Sequence, residues 1–185
     1  MLPQFDEKKA TQVAGVFLAL RNQGGRMSYM KLIKLMYLTD REALMRWGWS
    51  MTGDEYVSME HGQVLSKTYD LLKEASLGRS YWRNFISPPN TRKEVKLLKP
   101  TETGELSRAD RELIEEIFSR YGQMDRWELA NITHGLPEYR ETNGPSLPVG
   151  YADVLLKAKR ASAEEVEKTL KELHTLAIMQ SLTVS

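Results

Sequence analysis

Residues 31–72 read KLIKLMYLTDREALMRWGWSMTGDEYVSMEHGQVLSKTYDLL, and the first part of this stretch repeats apolar residues at helical spacing. Ser28 precedes the pattern and Gly48 follows it, and these residue types are favoured at the N-terminal and C-terminal ends of helices. The pattern therefore predicts a helix over about residues 28–47.

The second part of this stretch contains too many turn residues to continue the helix. Thr52–Asp54 predicts a turn, and the aromatic and β-branched pair Tyr56–Val57 favours a short extended segment over Tyr56–Met59. A helical pattern resumes over about residues 63–76. The centre of the chain is thus expected to be helix, short strand and helix.

Helical patterns also predominate outside this stretch. An amphipathic pattern over residues 6–22 predicts a first helix, and capping boxes predict later helix starts at Ser107, Asp125 and Ser162. A further helix is expected around residues 151–160.

One segment departs from the helical period. Residues 81–86 and 94–98 flank Ser87–Asn90, a turn cluster with two prolines, and this arrangement predicts a β-hairpin. The expected fold is mainly α, a single compact helical domain of about six helices with a small β-hairpin, spanning residues 1–185.

The composition restricts the classes of function. The 185 residues include 26 Lys and Arg, 25 Asp and Glu, and no Cys, which excludes disulfide scaffolds, thiolate zinc sites and thiol catalysis. No run approaches the roughly 18 apolar residues that a membrane helix needs, and the N-terminus does not resemble a signal peptide. The near-neutral charge gives no general attraction to nucleic acid or anionic lipid. We therefore expect a cytoplasmic protein without a membrane partner.

Candidate catalytic residues are few. The sequence lacks a phosphate-binding loop, a nucleophile elbow and the helical zinc-protease motif. His61, His134, Glu138 and Asp54 could bind a metal only if the fold brought separate segments together. We expect no catalysis, cofactor or metal, and a metal-dependent function remains an alternative of a different class.

Nucleic-acid binding is a second alternative of a different class. Arg79, Tyr81, Trp82 and Arg83 interleave basic and aromatic side chains, as platforms for single-stranded nucleic acids do. Trp82 and Phe85, however, occupy hairpin positions that a fold would use for burial. A nucleic-acid partner is therefore not expected.

Methionine is concentrated near the centre of the chain, with six of the nine residues between positions 27 and 59. Flexible thioether side chains are frequent at adaptable protein interfaces. Met27, Met51 and Met59 lie at or beyond the helix ends, where an interface role is more open than in the core. Periodicity and composition alone thus indicate a helical binding module.

Residues 31–72 contain a spaced motif of Lys, Leu, Tyr, Asp and Gly residues. Its members are Lys31, Leu32, Lys34, Leu35, Tyr37, Leu38, Asp40, Tyr56, Gly62, Val64, Tyr69 and Asp70. The arrangement closely resembles the Panacea domain, a family that includes the SocA-type antitoxins and phage-associated GepA-like proteins.

Later residues extend this resemblance to about residues 8–160. They are Leu106, Ser107, Asp110, Leu129, Thr133, His134, Pro137 and Glu138. Gln63 stands where the family usually has proline, and its presence predicts a softer start of the helix over residues 63–76 without a change of fold.

The resemblance implies the antitoxin of a toxin–antitoxin module, which neutralises a cognate protein toxin by direct protein–protein binding and without catalysis. SocA-type members imply an alternative, a proteolytic adaptor that delivers the toxin to a Clp-type protease. Many relatives carry an additional DNA-binding domain, for which this chain has no room, so transcriptional autoregulation is not expected. A homo-oligomer is left open.

The residues of the motif supply the candidate site. The toxin-binding or family-motif candidates are Lys31, Lys34, Tyr37, Asp40, Tyr56, His61, Gly62, Val64, Tyr69 and His134. We expect Lys31 and Lys34 on the polar side of their helix. Tyr37 and Asp40 fit a buried hydrogen-bonded pair at least as well as toxin contact. Gly62 is expected to provide a backbone conformation or a close approach that a side chain would block.

Partner specificity is expected in loops and in the hairpin region, residues 79–98. The candidates there are Arg79, Trp82, Arg83 and Phe85.

Overall fold

The computed structural model describes residues 4–21, 24–73, 80–159 and 161–183. Within them the chain forms seven α-helices, α1 (Glu7–Leu20), α2 (Tyr29–Trp47), α3 (Ser66–Lys73), α4 (Arg108–Tyr121), α5 (Arg126–His134), α6 (Tyr151–Lys157) and α7 (Ala163–Thr183). The mainly α prediction is confirmed, with seven helices in place of about six. In the described part of the chain, no helix is both long and apolar enough to cross a membrane.

The β structure consists of two small antiparallel sheets. The strands are β1 (Arg26–Ser28), β2 (Tyr56–Met59), β3 (Gly62–Leu65), β4 (Glu94–Lys96) and β5 (Leu147–Val149). One sheet pairs β1 with β4, and the other has the order β3-β2-β5, with Tyr56 opposite Leu65 and opposite Val149.

α2 is the central element of the core. It packs against α1, α4, α5, α6 and β3, and every residue from Lys31 to Asp40 is buried. One hydrophobic cluster contains residues from all seven helices. Because α2 is surrounded on nearly all sides, it has no long solvent-facing stripe. The expectation that Lys31 and Lys34 lie on a polar side is therefore wrong.

Most helix ends agree with the sequence prediction, but the predicted cap at Ser28 is wrong, because its side chain makes no cap hydrogen bond at the start of α2. The Asp6 side chain accepts a hydrogen bond from the Lys9 amide at the start of α1, and Gly48 ends α2 in the left-handed conformation with φ of 80°. The capping boxes that begin at Ser107 and Asp125 are both formed. Caps are predictable because they depend on residues within one helical turn.

The hairpin predicted over residues 81–86 and 94–98 is formed in part. Ile86 pairs antiparallel with Leu97, and the Leu98 amide donates to the Phe85 carbonyl. The rest differs from the prediction, because Trp82–Asn84 form a 3-10 turn and β4 pairs with β1. Trp82, Phe85 and Ile86 are all buried, and their spacing of three and four residues suits a helical turn. A strand would place two adjacent residues on opposite faces.

The helix predicted over residues 63–76 begins later than expected. Gly62–Leu65 form β3 opposite β2, and α3 starts at Ser66. Gln63 is therefore a strand residue, and the expected softer helix start at Gln63 is wrong. Asp54, which lies before β2, supplies the cap, since its carboxylate accepts hydrogen bonds from the amides of Lys67 and Thr68.

Candidate functional site

Two lysines of α2 are buried in different ways. The Lys31 ammonium donates to the carbonyls of Gly122 and Met124, at the end of α4 and in the following turn. The Lys34 ammonium donates to the Gln63 carbonyl at 2.9 Å, and no other hydrogen bond or ion pair of this group is found among the described residues. Burial lowers the pKa of Lys34 to about 7 and that of Lys31 to about 8.

Lys34 lies at the wall of a cleft of about 320 Å³, hereafter the Lys34 cleft. The cleft is bounded by α2, the β2–β3 turn, α3, the turn before β4 and the first residues of α5. Five of the ten motif candidates line it, namely Lys34, His61, Gly62, Val64 and Tyr69. The fold thus brings together residues that are up to 35 positions apart in the sequence.

Apolar and aromatic side chains complete the walls of the cleft. Ile33 and Met59 line its interior, and Trp127 stands at its rim with 48% of its surface exposed. The His61 ring packs edge-on against the Trp127 ring, with 5.5 Å between centroids. The Arg126 guanidinium lies 5.3 Å from the centroid of the same indole.

A second recess continues the Lys34 cleft along the surface. Its volume is about 270 Å³, and Tyr29, Met30, Lys93 and Trp127 line both spaces. The recess also contains Arg92 and Arg126. The two spaces therefore form one groove whose outer part is basic.

Gly62 sits where β3 meets α5. Its φ is 87°, and a Cβ atom there would collide with the Thr133 hydroxyl, the His134 amide and the Ala130 carbonyl. A side chain would therefore be strained and would push β3 away from α5. The predicted roles of Gly62, a special backbone conformation and a close approach, are both confirmed.

Asp40 holds the segment after α2 against the helix. Its carboxylate accepts hydrogen bonds from the Ser50 hydroxyl, the Thr52 amide and the Tyr56 hydroxyl, at 2.6, 2.8 and 2.9 Å. Burial raises the pKa of Asp40 to about 6, although these hydrogen bonds act in the opposite direction. The residue has a structural environment and does not line the Lys34 cleft.

Tyr37 has different partners from Asp40. Its hydroxyl donates to the Glu138 carboxylate at 3.1 Å, and Arg41 forms an ion pair with the same carboxylate. The Tyr37 and Tyr56 rings meet edge-on at 5.3 Å. The expected pair between Tyr37 and Asp40 is therefore not formed, although both residues are buried and hydrogen-bonded.

Arg41 is a structural residue that the sequence did not single out. It joins α2 to the loop after α5 through Glu138, whose side chain is fully buried. The two residues are 97 positions apart. No local pattern distinguishes Arg41 from an exposed arginine of the same helix.

The alternative metal site is not formed. Asp54 caps α3, Glu138 is paired with Arg41, and the exposed His134 ring stacks on Tyr139 at 4.1 Å. Among the described residues, no group of three or more His, Asp or Glu side chains could hold a metal ion.

The candidates from the hairpin region are mostly part of the core. Trp82 and Phe85 are buried, and an Arg83 guanidinium nitrogen donates to the Leu71 carbonyl. Arg79 lies outside the described residues. Trp82 and Phe85 are directed inward and therefore do not form a stacking platform, whereas a role of residues 79–98 in partner specificity stays a prediction.

The three methionines at or beyond the helix ends have different environments. Met27 and Met51 are buried, which contradicts an interface role, whereas Met59 lines the Lys34 cleft.

Larger cavities occur near Gly53, with volumes of about 530 and 450 Å³. Neither is lined by any of the ten motif candidates. The Lys34 cleft is smaller, but it alone among these three spaces combines motif residues with a buried charged group.

Comparison with known proteins agrees with the motif. The family model described as antitoxin SocA-like, Panacea domain, matches residues 32–140, which is more than half of the chain. Comparisons with curated proteins and with solved structures gave no match. The matched segment contains all five motif residues of the Lys34 cleft and also Lys93 and Trp127. The chain therefore belongs to the family of SocA-like antitoxins with a Panacea domain.

Proposed function

We propose that this protein is an antitoxin that neutralises a cognate protein toxin by direct binding in the cytoplasm, and that the Lys34 cleft is its contact surface. The observation that carries this proposal is the convergence of five motif residues on one open cleft within the family-matched segment.

The character of the cleft supports a protein partner. Energetically important residues of protein interfaces are enriched in Trp, Tyr and Arg around well-packed pockets. The Lys34 cleft offers Trp127, Tyr29 and Tyr69 around an apolar interior. An exposed tryptophan that flanks such a cleft is a suitable anchor for a partner side chain.

The other motif residues support the shape of the cleft. Lys31, Tyr37, Asp40 and Tyr56 are all buried and bonded within the protein. Their substitution is expected to reduce folding stability before it changes any contact with the toxin. Toxin contact by His134 is not favoured, since its ring stacks on Tyr139 and does not line the cleft.

Growth rescue with a matched pair of tryptophan variants tests the proposal. Trp127 and Trp49 are exposed to 48% and 47%, but Trp49 lies beyond the opposite end of α2. The gene adjacent to that of this protein is induced alone, with the wild-type chain, with Trp127→Ala or with Trp49→Ala. We expect growth arrest alone, and rescue and co-purification with the wild type and Trp49→Ala. Trp127→Ala should weaken both growth rescue and co-purification, with a loss of affinity for the toxin of about tenfold or more.

The outcomes separate the two parts of the proposal. A toxin that the wild-type chain neither binds nor suppresses would contradict the antitoxin role. Full rescue by Trp127→Ala together with loss in Trp49→Ala would place the contact surface elsewhere. Following the amount of toxin during rescue distinguishes neutralisation by binding, in which the toxin persists, from delivery to a Clp-type protease.

A further inference from the structure

We propose that the toxin segment in the Lys34 cleft is acidic, with one carboxylate that binds the Lys34 ammonium and apolar side chains that pack beside it. This inference rests on the proposed function and adds the chemistry of the partner. It is based on the charges around the cleft and on the buried Lys34 ammonium, which has fewer hydrogen-bond acceptors among the described residues than it has N–H donors.

The first observation is the hydrogen bonding of Lys34. An ammonium group has three N–H donors, and one of them is used by the Gln63 carbonyl. The residue is only 1% exposed, but it lines the Lys34 cleft, and the cleft is the side from which a ligand can approach the other two donors. A buried cation without an anion is unfavourable, and a carboxylate in the cleft would supply both the charge and the missing acceptors.

The second observation is an excess of unpaired positive charge along the groove. Arg92, Lys93 and Arg126 line it beyond Lys34, and among the residues that the structure describes Glu60 is the only carboxylate that lines it. None of these three basic residues forms an ion pair in the described chain, although many arginines elsewhere do. Uncompensated basic groups around an interface favour an acidic partner and speed its association.

The third observation is the backbone at Lys93. Its φ is 61°, a left-handed conformation that residues other than glycine seldom adopt. The Tyr29 amide donates to the Lys93 carbonyl at 3.0 Å, and the Lys93 amide donates to the Asn90 carbonyl at 2.9 Å. These bonds hold a basic side chain at the junction of the two recesses.

The cleft walls favour a protein segment over a polyanion. Ile33, Met59 and Val64 give apolar walls to the cleft that Lys34 also lines. Phosphates of a nucleic acid that entered the cleft would meet these apolar walls and the Glu60 carboxylate. A segment with a single acidic residue between apolar residues satisfies both the charge and the walls.

Proton uptake provides a signature of the carboxylate contact. A carboxylate next to Lys34 stabilises the charged ammonium, so complex formation at pH 8 should bind a proton. The titratable and charged groups that face the cleft with Lys34 are Tyr29, Glu60, His61, Tyr69 and Lys93.

The experiment measures the affinity of the purified toxin for the full chain as a function of salt. The variants are Lys34→Met, Lys93→Glu and Arg126→Glu, with Lys168→Glu as the control. Lys168 is exposed on α7, next to Thr169, which approaches Gly48 at the far end of α2. Gly48 is roughly 20 Å from Lys34 along the helix axis.

We expect each charge reversal in the groove to weaken binding about tenfold or more at low salt and to reduce the salt dependence. Lys168→Glu should stay within about twofold of the wild type, because Debye screening limits its influence at this distance. Lys34→Met should abolish the proton uptake, measured at pH 8 by calorimetry in buffers of different ionisation enthalpy. Lys93→Glu and Arg126→Glu change exposed or partly exposed residues and test the inference even if Lys34→Met folds poorly.

If both charge-reversal variants bind the toxin with unchanged affinity and salt dependence, the proposal of an acidic toxin segment is wrong, but the antitoxin role is unaffected. Failure of the wild-type chain to bind the toxin would contradict the proposed function, and this inference with it. A single-stranded oligonucleotide of 30 nucleotides tests the other partner class. If the wild type binds it, both charge reversals lose this binding and neither affects toxin binding, the groove is a nucleic-acid site.

Discussion

Lys34 and Asp40 lie six residues apart on α2, and each is a buried ionisable group without an ion-pair partner among the described residues. Burial shifts both pKa values toward neutrality, to about 7 for Lys34 and about 6 for Asp40. The stability of the free protein should therefore depend on pH in two separate windows, one for each residue.

Lys34 should make the folded state more stable as pH rises. Its pKa is 10.5 in the unfolded chain and about 7 in the folded protein, so the unfolded state binds more protons between these values. We expect the wild type to gain stability relative to Lys34→Met from pH 7 to 10, with a slope that approaches about 1.4 kcal/mol per pH unit. Urea denaturation at four pH values measures this. The control is Lys168→Met, at an exposed lysine, whose free energy of unfolding should depend on pH as that of the wild type does. The same pH dependence in Lys34→Met would contradict the prediction.

Asp40 should have the opposite pH dependence at lower pH. Its pKa is 3.8 in the unfolded chain and about 6 in the folded protein, so the folded state binds more protons in this window. The stability of the wild type should fall relative to Asp40→Asn as pH rises from about 4 to 6. Asp40→Ala removes the acceptor of three donors and should cost about 2–4 kcal/mol. Denaturation curves of the three proteins at pH 4, 5 and 6 provide the check, and a pH-independent difference for Asp40→Asn would exclude this titration.

At the scale of elements, the tight turn between β2 and β3 determines how closely the sheet approaches α5. We expect Gly62→Ala to destabilise the protein by about 2–4 kcal/mol, because it adds a collision with α5 to the strain of a positive φ. Gly24 is the matched control, since its φ is 65° and nothing lies within 4 Å of a Cβ atom there. Gly24→Ala should cost only about 1 kcal/mol. Equal losses in thermal denaturation would show that the contact with α5 is unimportant.

The elements also show which parts of the fold the sequence could predict. The starts of α1, α4 and α5 and the end of α2 follow from caps that act within a few residues. The boundary between β3 and α3 could not be predicted, because β3 depends on pairing with β2 and α3 is capped by Asp54 from a distant loop. The partner of β4 is likewise β1, nearly 70 residues earlier.

The candidate site combines local and non-local information in the same manner. The resemblance supplied Lys34, His61, Gly62, Val64 and Tyr69, and the structure places these five residues on one cleft. The basic and aromatic rim formed by Lys93, Arg126 and Trp127 had no signal in the sequence, because it arises from packing between separate elements. The burial of Lys34 was also missed, since its depth depends on the helices that surround α2.

At the scale of the whole molecule, the family match covers residues 32–140, but the core extends beyond it. Phe17 of α1 is fully buried and its ring lies 6.3 Å from that of Phe118, while Val166 and Leu173 of α7 are also core residues. The hydrophobic cluster is continuous across these segments. We therefore predict that the chain is a single domain that unfolds in one cooperative transition.

Deletion and point variants test this prediction with graded losses. A fragment of residues 32–140 should not fold, because it lacks the apolar face of α1 that covers α2 and α4. A fragment of residues 4–159 lacks α7, which contributes fewer core residues, and it should fold with reduced stability.

In the full chain, Phe17→Ala should cost about 3–5 kcal/mol, whereas Leu182→Ala, at a side chain that is 73% exposed, should change stability by less than about 0.5 kcal/mol. Circular dichroism and intrinsic fluorescence should give coincident denaturation curves for the full chain. A cooperative transition in the 32–140 fragment would instead show that the matched segment is an independent unit to which α1 and α7 are added.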